Sequence, residues 1–195
     1  MSKTFQSLIL AISKRFDYEE IEGLRDSVKG FARAREKSIL KNINSLDPDQ
    51  FENGRDLEDY RSHLESEAEF LVEVELLSNE MCILALYKKL EIATRKLVTK
   101  FYPKLNAGEL HNIDYLKRNL PFDITALDEF ASIDELRLIN NSIKHQGVVS
   151  HALSSYPGWL EGQPLTDLGN AFERLAPKAE VYVEGLCEAI RANHD

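Results

Sequence analysis

The segment ELRLINNSIKHQG, residues 135–147, gathers an arginine, two asparagines, a lysine and a histidine ahead of a glycine. Histidine exchanges protons near neutral pH, and the lysine beside it is a fixed cation. Such groups suit holding a phosphodiester and moving a proton at it. Arg137, Asn141 and His145 recur at i, i+4 and i+8, which puts them on one side of a helix. The reading sets Lys144, Asp134 and Asn140 beside them, with Leu136, Ile139 and Ile143 on the opposite face. Lys144 and His145 fall in the last turn, where the helix dipole favours positive charge. A polar face turned simply to water is the other reading of the same pattern.

A second cluster follows a different logic. Lys88, Lys89, Arg95, Lys96, Lys100 and Lys104 stand against the single acid Glu91, in a chain whose net charge is −9. Tyr87, Phe101 and Tyr102 lie among them. Phosphate contacts combined with base stacking are the means by which single strands are held. Affinity depends on local potential, so an acidic chain can still carry a basic site. The alternative is a solvated helix face with its aromatics in the core.

Other chemistries find no support. The histidines (His63, His111, His145, His151 and His194) show neither HxxxH nor HExxH spacing, so no metal is expected. Cys82 and Cys187 sit in apolar helical contexts and read as reduced core residues. There is no phosphate-cradling glycine loop and no GxSxG elbow, and no cofactor is expected. Trp159, in the sequence YPGW, reads as an anchor fastening its loop to the core.

The elements that position these groups are predicted to be helices throughout. Pro and Gly fall mostly between periodic segments, and the most apolar window carries Glu73, Glu75 and Glu80, too many charges for a membrane span. The N-terminal run lacks a signal-peptide cleavage site, so the expectation is a cytoplasmic chain without a membrane partner. Phe5, Leu8, Ile9, Ile12 and Phe16 suggest a first helix, with Asp17 and Glu20 as a capping pair. Ile21, Leu24, Val28, Phe31, Ile39, Ile43 and Leu46 form a stripe that ends near Asp47-Pro48, and Asn53-Gly54 reverses the chain.

No proline or glycine separates Gly54 from Pro103, which allows one helix of up to about 48 residues, roughly 70 Å long. It must protrude from a compact body or break, with Ser78-Asn79 the weakest point; protrusion is favoured. Arg25, Lys29, Arg33, Lys37 and Lys41 form a basic row that an acidic residue 52–80 segment can face in an antiparallel pair. Further helices are expected over 107–119, from a Ser132/Glu135 capping box to Gly147, and from Thr166 onward with a kink or split at Pro177. The expected organisation is a hairpin arm over 1–80 and a helical bundle over 81–195, joined by the long helix.

A helix ending NEMCILALYKKLEIATRKLV, a shorter one ending NNSIKHQG and a closing amphipathic helix together resemble the HEPN superfamily over roughly residues 70–192. Asn141 and His145 stand where that family's Arg-Asn-x-x-x-His motif has asparagine and histidine. Asn140 occupies the arginine position, and Arg137 lies outside the family's usual spacing from the histidine. The resemblance implies a homodimeric helical bundle that binds RNA, or a metal-independent endoribonuclease of a defence or toxin–antitoxin system with an antitoxin as partner. In it, Arg137, Asn140, Asn141, Lys144 and His145 would form the catalytic end, intact or degenerate. Lys88, Lys89, Arg95, Lys96 and Lys100 would hold the nucleic acid. A non-catalytic scaffold making protein contacts through the arm is the alternative from another class.

Overall fold

A computed structural model describes residues 10–12, 14–145 and 147–193 of the 195-residue chain. The chain is all-α. Its helices are α1 (Glu19–Asn44), α2 (Gly54–Phe101), α3 (Ile113–Asn119), α4 (Phe130–His145) and α5 (Leu168–Asn193), with 3-10 turns at Pro48–Gln50, Ile124–Ala126 and Leu153–Ser155. Two compact units emerge, one of residues 19–82 and one containing the described residues among 10–18 and 83–193. The boundary between them falls inside α2, and the described residues among 10–18 group with the second unit. Leu10 and Phe16 are buried, and Lys14 Nζ reaches Glu188 on α5 at 2.7 Å. Residues 5, 8 and 9 of the expected first helix lie outside the described residues.

In the 19–82 unit, α1 stops at Asn44 and Asp47 caps the 3-10 turn that Pro48 opens. The Asn53 side chain then accepts from the backbone N–H groups of Arg55 and Asp56, so the expected turn signal acts as the N-cap of α2. Contacts climb α1 as they descend α2. Cys82 Sγ lies 3.8 Å from the Ile21 carbonyl, Arg25 Nε donates to Asn79 at 3.2 Å, and Arg35 Nε donates to Glu67 at 2.6 Å. Ala32, Ile39, Leu64 and Leu71 fill the seam, with Ile43 and Ala68 against them.

Two expectations need correction here. Leu24 and Phe31, placed in the buried stripe by spacing, are 59% and 63% exposed, while Arg25 is buried. The basic row does not align with the acids either. A four-residue spacing drifts about 40° per step around a helix, so the row winds from the seam at Arg25 to the outer edge at Lys41. Arg33, Lys37 and Lys41 make no ion pair among the described residues, and a cross-helix pair comes from outside the row, Arg35 with Glu67.

α2 runs unbroken through Ser78-Asn79 as a helix of 48 residues. In the second unit its C-terminal half contributes Ile83, Leu86, Leu90 and Val98 to a core shared with Leu136 and Ile139 of α4 and Phe172, Leu175, Leu186 and Ile190 of α5. α3 is shorter than expected because Asn112 caps it at Ile113. α4 closes where Gly147, at φ +67, donates its N–H to the Ser142 carbonyl at 2.9 Å. α5 begins at Leu168, after Asp167 at φ +60, and passes through Pro177 without splitting. Pro177 lies on the exposed side of that helix.

Candidate functional site

α4 is deeply seated in its unit. Its side chains from Ser132 to Ser142 include eight that are buried, among them the carboxylate of Glu135. Glu135 accepts from both terminal nitrogens of Arg174 at 2.8 and 2.7 Å and from the Trp159 indole at 2.8 Å. Burial alone would raise the Glu135 carboxyl, but the Arg174 and Trp159 bonds outweigh it and hold the group below the ordinary carboxylate range. The expected capping box is therefore not formed. Ser132 instead donates to Glu129 at 2.6 Å and accepts from Lys178, which also pairs with Glu129 at 3.1 Å. Trp159 does anchor its loop, through a bond that no local spacing announces.

Around the rest of α4 the expected catalytic residues separate. Lys144 and His145 are exposed at its C-terminal end, and Asn141 is half-buried. Arg137 is also half-buried and donates two bonds to one oxygen of Asp134, at 2.9 and 2.7 Å. The other Asp134 oxygen accepts from the Tyr156 hydroxyl at 2.9 Å. Burial and that hydrogen bond push Tyr156 up to about 12, so it stays a donor. Asn140 is not on the polar side. It stands four residues after Leu136, about 40° away on the helix, and is 1% exposed. Its Nδ2 donates to Asn141 at 3.2 Å, while its Oδ1 and the buried Ser142 hydroxyl have no partner. The position that carries arginine in the Arg-Asn-x-x-x-His motif thus holds an interior side chain.

The basic cluster occupies another face. Tyr87, Leu90, Glu91 and Thr94 of α2 line a small cleft with Ile133 of α4 and Tyr182 of α5. On the opposite side of α2, Lys89, Ile92, Ala93, Lys96, Leu97 and Lys100 line a groove of about 500 Å³ closed by Arg15, Phe16 and Asp17. An adjoining shallow depression adds Arg95 and Thr99. Four cations therefore face one acid over an apolar floor. Lys88 lies beside Glu91 at 3.8 Å, outside the groove. Sequence reasoning missed Arg15 and Phe16, which reach the groove from a distant segment. The aromatics expected for stacking do not line it: Phe101 is buried, and Tyr102 turns its ring to Phe122 at 6.4 Å.

Among the described residues no three His, Cys, Asp or Glu side chains converge in a way that could hold a metal. No helix there is long and apolar enough to cross a membrane. Both cysteines are buried free thiols, and burial raises each. Comparison with family models, with curated proteins and with solved structures yields no match.

Proposed function

We propose that this chain is an HEPN-like RNA-binding protein that holds single-stranded RNA by its phosphates and does not cut it. The observation that carries the reading is the groove along α2, where Arg15, Lys89, Lys96 and Lys100 surround an apolar floor and Asp17 is the one acid among the described lining residues. From Lys89 to Lys100 the helix rises about 16 Å, enough for several successive phosphates. The floor has no exposed aromatic platform, so recognition rests on charge and is tolerant of sequence. The silent chemistry follows from α4: Asn140 is interior, and Arg137 is engaged by Asp134. A defence or toxin–antitoxin setting, with a homodimer or an antitoxin partner, is the context the HEPN resemblance supplies.

The test is fluorescence anisotropy of a labelled single-stranded RNA against the wild type and Lys96→Glu, with intact RNA verified on a gel. Binding weakened by the charge reversal, with no cleavage product, is the expected result. Equal affinity of the two proteins, or cleavage by the wild type, overturns the reading. The scaffold reading is favoured by a different observation, the exposed apolar residues of the 19–82 unit.

A further inference from the structure

The 19–82 unit leaves an apolar face uncovered. On α2, Phe70, Leu77 and Met81 are 59%, 58% and 53% exposed and, with half-buried Val74, repeat at alternating spacings of four and three. That is the period of a coiled-coil seam. The stripe turns about 100° away from the positions that face α1, Leu64 and Leu71. On α1, Leu24 and Phe31 stand one heptad apart and turn about 90° from Ala32 and Ile39, in the same sense. Because contacts between α1 and α2 run in opposite directions, equal rotations away from the seam bring both stripes to one side of the pair.

We infer that this face is a dimerisation surface, and that its occupant is the same face of a second copy of this chain. Size, register and charge support the assignment. α1 has 26 residues, giving a length of about 39 Å, and two helices side by side are about 20 Å wide. That whole side of the pair is then roughly 800 Å², the contribution each partner makes to a standard stable interface. The stripes, about 17 Å along α2 from Phe70 to Met81, form an apolar centre of roughly 330 Å² inside a polar rim.

A two-fold axis can lie along the helices or across them. Across them, the acidic first half of α2 would meet itself. Along them, α1 of one copy lies over α2 of the other. Leu24 then falls level with Leu77 and Met81, and Phe31 level with Phe70 and Val74, by the register that joins Arg25 to Asn79. The same arrangement brings Lys41, at the outer edge of α1, within a turn of Asp59, at the outer edge of α2 in the other copy. Lys41 makes no ion pair among the described residues, and Asp59 has only the exposed Arg55 at 4.0 Å. Opposite charges at an interface edge fix orientation more than they add affinity, and here they select the axis along the helices. The result is a four-helix bundle with an isologous contact. This inference is independent of RNA binding.

The test uses the full chain in sedimentation equilibrium, with three variants. The wild type is expected at twice its 22.3 kDa monomer mass at micromolar concentration. Leu77→Lys, on α2, and Phe31→Lys, on α1, should each raise the dissociation constant roughly 30-fold or more, as loss of a central apolar contact does. Val72→Lys is the control: Val72 is 59% exposed on the other side of α2, and its variant should remain dimeric. Circular dichroism establishes that each variant is folded; should one fail to fold, the other reads the same face from the other helix. A wild type that stays monomeric, a dimer that survives both stripe substitutions, or a dimer lost equally in Val72→Lys overturns the proposal.

Discussion

Arg137 donates two hydrogen bonds, 2.9 and 2.7 Å long, to a single carboxylate oxygen of Asp134 one turn earlier on α4. The other oxygen is held by Tyr156 at 2.9 Å. A guanidinium so engaged is a poor phosphate ligand, because any anion must compete with a fixed carboxylate. Arg137→Ala is therefore expected to change single-stranded RNA affinity by less than about twofold. Asp134→Ala should likewise stay within about twofold, because the freed Arg137 lies near Tyr87, on the side of α2 away from the groove. Anisotropy titrations of the two variants side by side decide the matter, and a large loss in Arg137→Ala would place RNA against α4.

His145 stands exposed at the C-terminal end of the same helix, beside exposed Lys144. Exposed substitutions generally alter stability by less than about 0.5 kcal/mol. His145→Ala should then unfold in urea at the wild-type midpoint and bind RNA as the wild type does. A lowered midpoint would mean that the imidazole supports the fold. Loss of an RNA-cleaving activity present in the wild type would restore the catalytic reading of this helix end.

The legibility of this chain followed the range of its interactions. Helix periodicity and the Asn53 and Gly147 boundaries are local, and the sequence pattern located them well. The face of each helix is decided by its partners. Leu24 and Phe31 share the apolar character and helical spacing of Ile21 and Ile39, although only the latter two face α2. The chemistry of Asn140 groups it with polar neighbours, whereas its four-residue spacing from Leu136 puts it in the core. Glu135 illustrates the other limit. Its partners Trp159 and Arg174 come from separate segments, and nothing at Ser132 distinguishes a capping box from a cross-helix network.

Glu135 also gives a pH prediction. Its carboxyl is held below its ordinary value despite burial, by the Arg174 and Trp159 bonds. A depressed folded-state value means a stabilising contribution that is complete above the unfolded carboxyl range of about 4.3 and is lost as pH falls through the folded value. The Glu135→Gln variant should be less stable than the wild type at about pH 7, with the gap narrowing toward about pH 3. Arg174→Ala, which leaves the carboxylate buried with the indole as its remaining hydrogen-bond partner, should cost about 1–3 kcal/mol near neutrality, since the arginine itself is 45% exposed. Urea midpoints across that range measure both, and a gap independent of pH would show that the pair adds nothing through charge.

The groove makes a quantitative prediction about salt. Counterions released by each neutralised phosphate give a slope of about −0.7 in the logarithm of affinity against the logarithm of salt for single strands. Lys96 lines both the groove and its adjoining depression. Lys96→Gln should flatten the slope by about 0.7 and weaken binding evenly across RNA sequences. An unchanged slope would remove Lys96 from the phosphate path, and strong sequence dependence would require base contacts that the groove does not offer.

Asn140 allows the sharpest separation of interior from site. Its side chain is 1% exposed, its Oδ1 has no hydrogen-bond partner, and its Nδ2 bond goes to half-buried Asn141. A buried acceptor left unsatisfied costs about 1–3 kcal/mol, and leucine has nearly the same shape without the polar atoms. Asn140→Leu is therefore expected to stabilise the fold by about 1 kcal/mol, after subtracting the single bond it gives up. Asn140→Arg, which writes the full motif arginine into the sequence, should do the opposite. A guanidinium buried in that interior loses its hydration, and the fold should lose several kcal/mol or fail to form. Thermal unfolding of both variants, with RNA cleavage assayed on whichever folds, gives opposite signs for the two readings. If the arginine variant is as stable as the wild type and cuts RNA, position 140 faces a functional surface; if the leucine variant is the more stable one, the position belongs to the core.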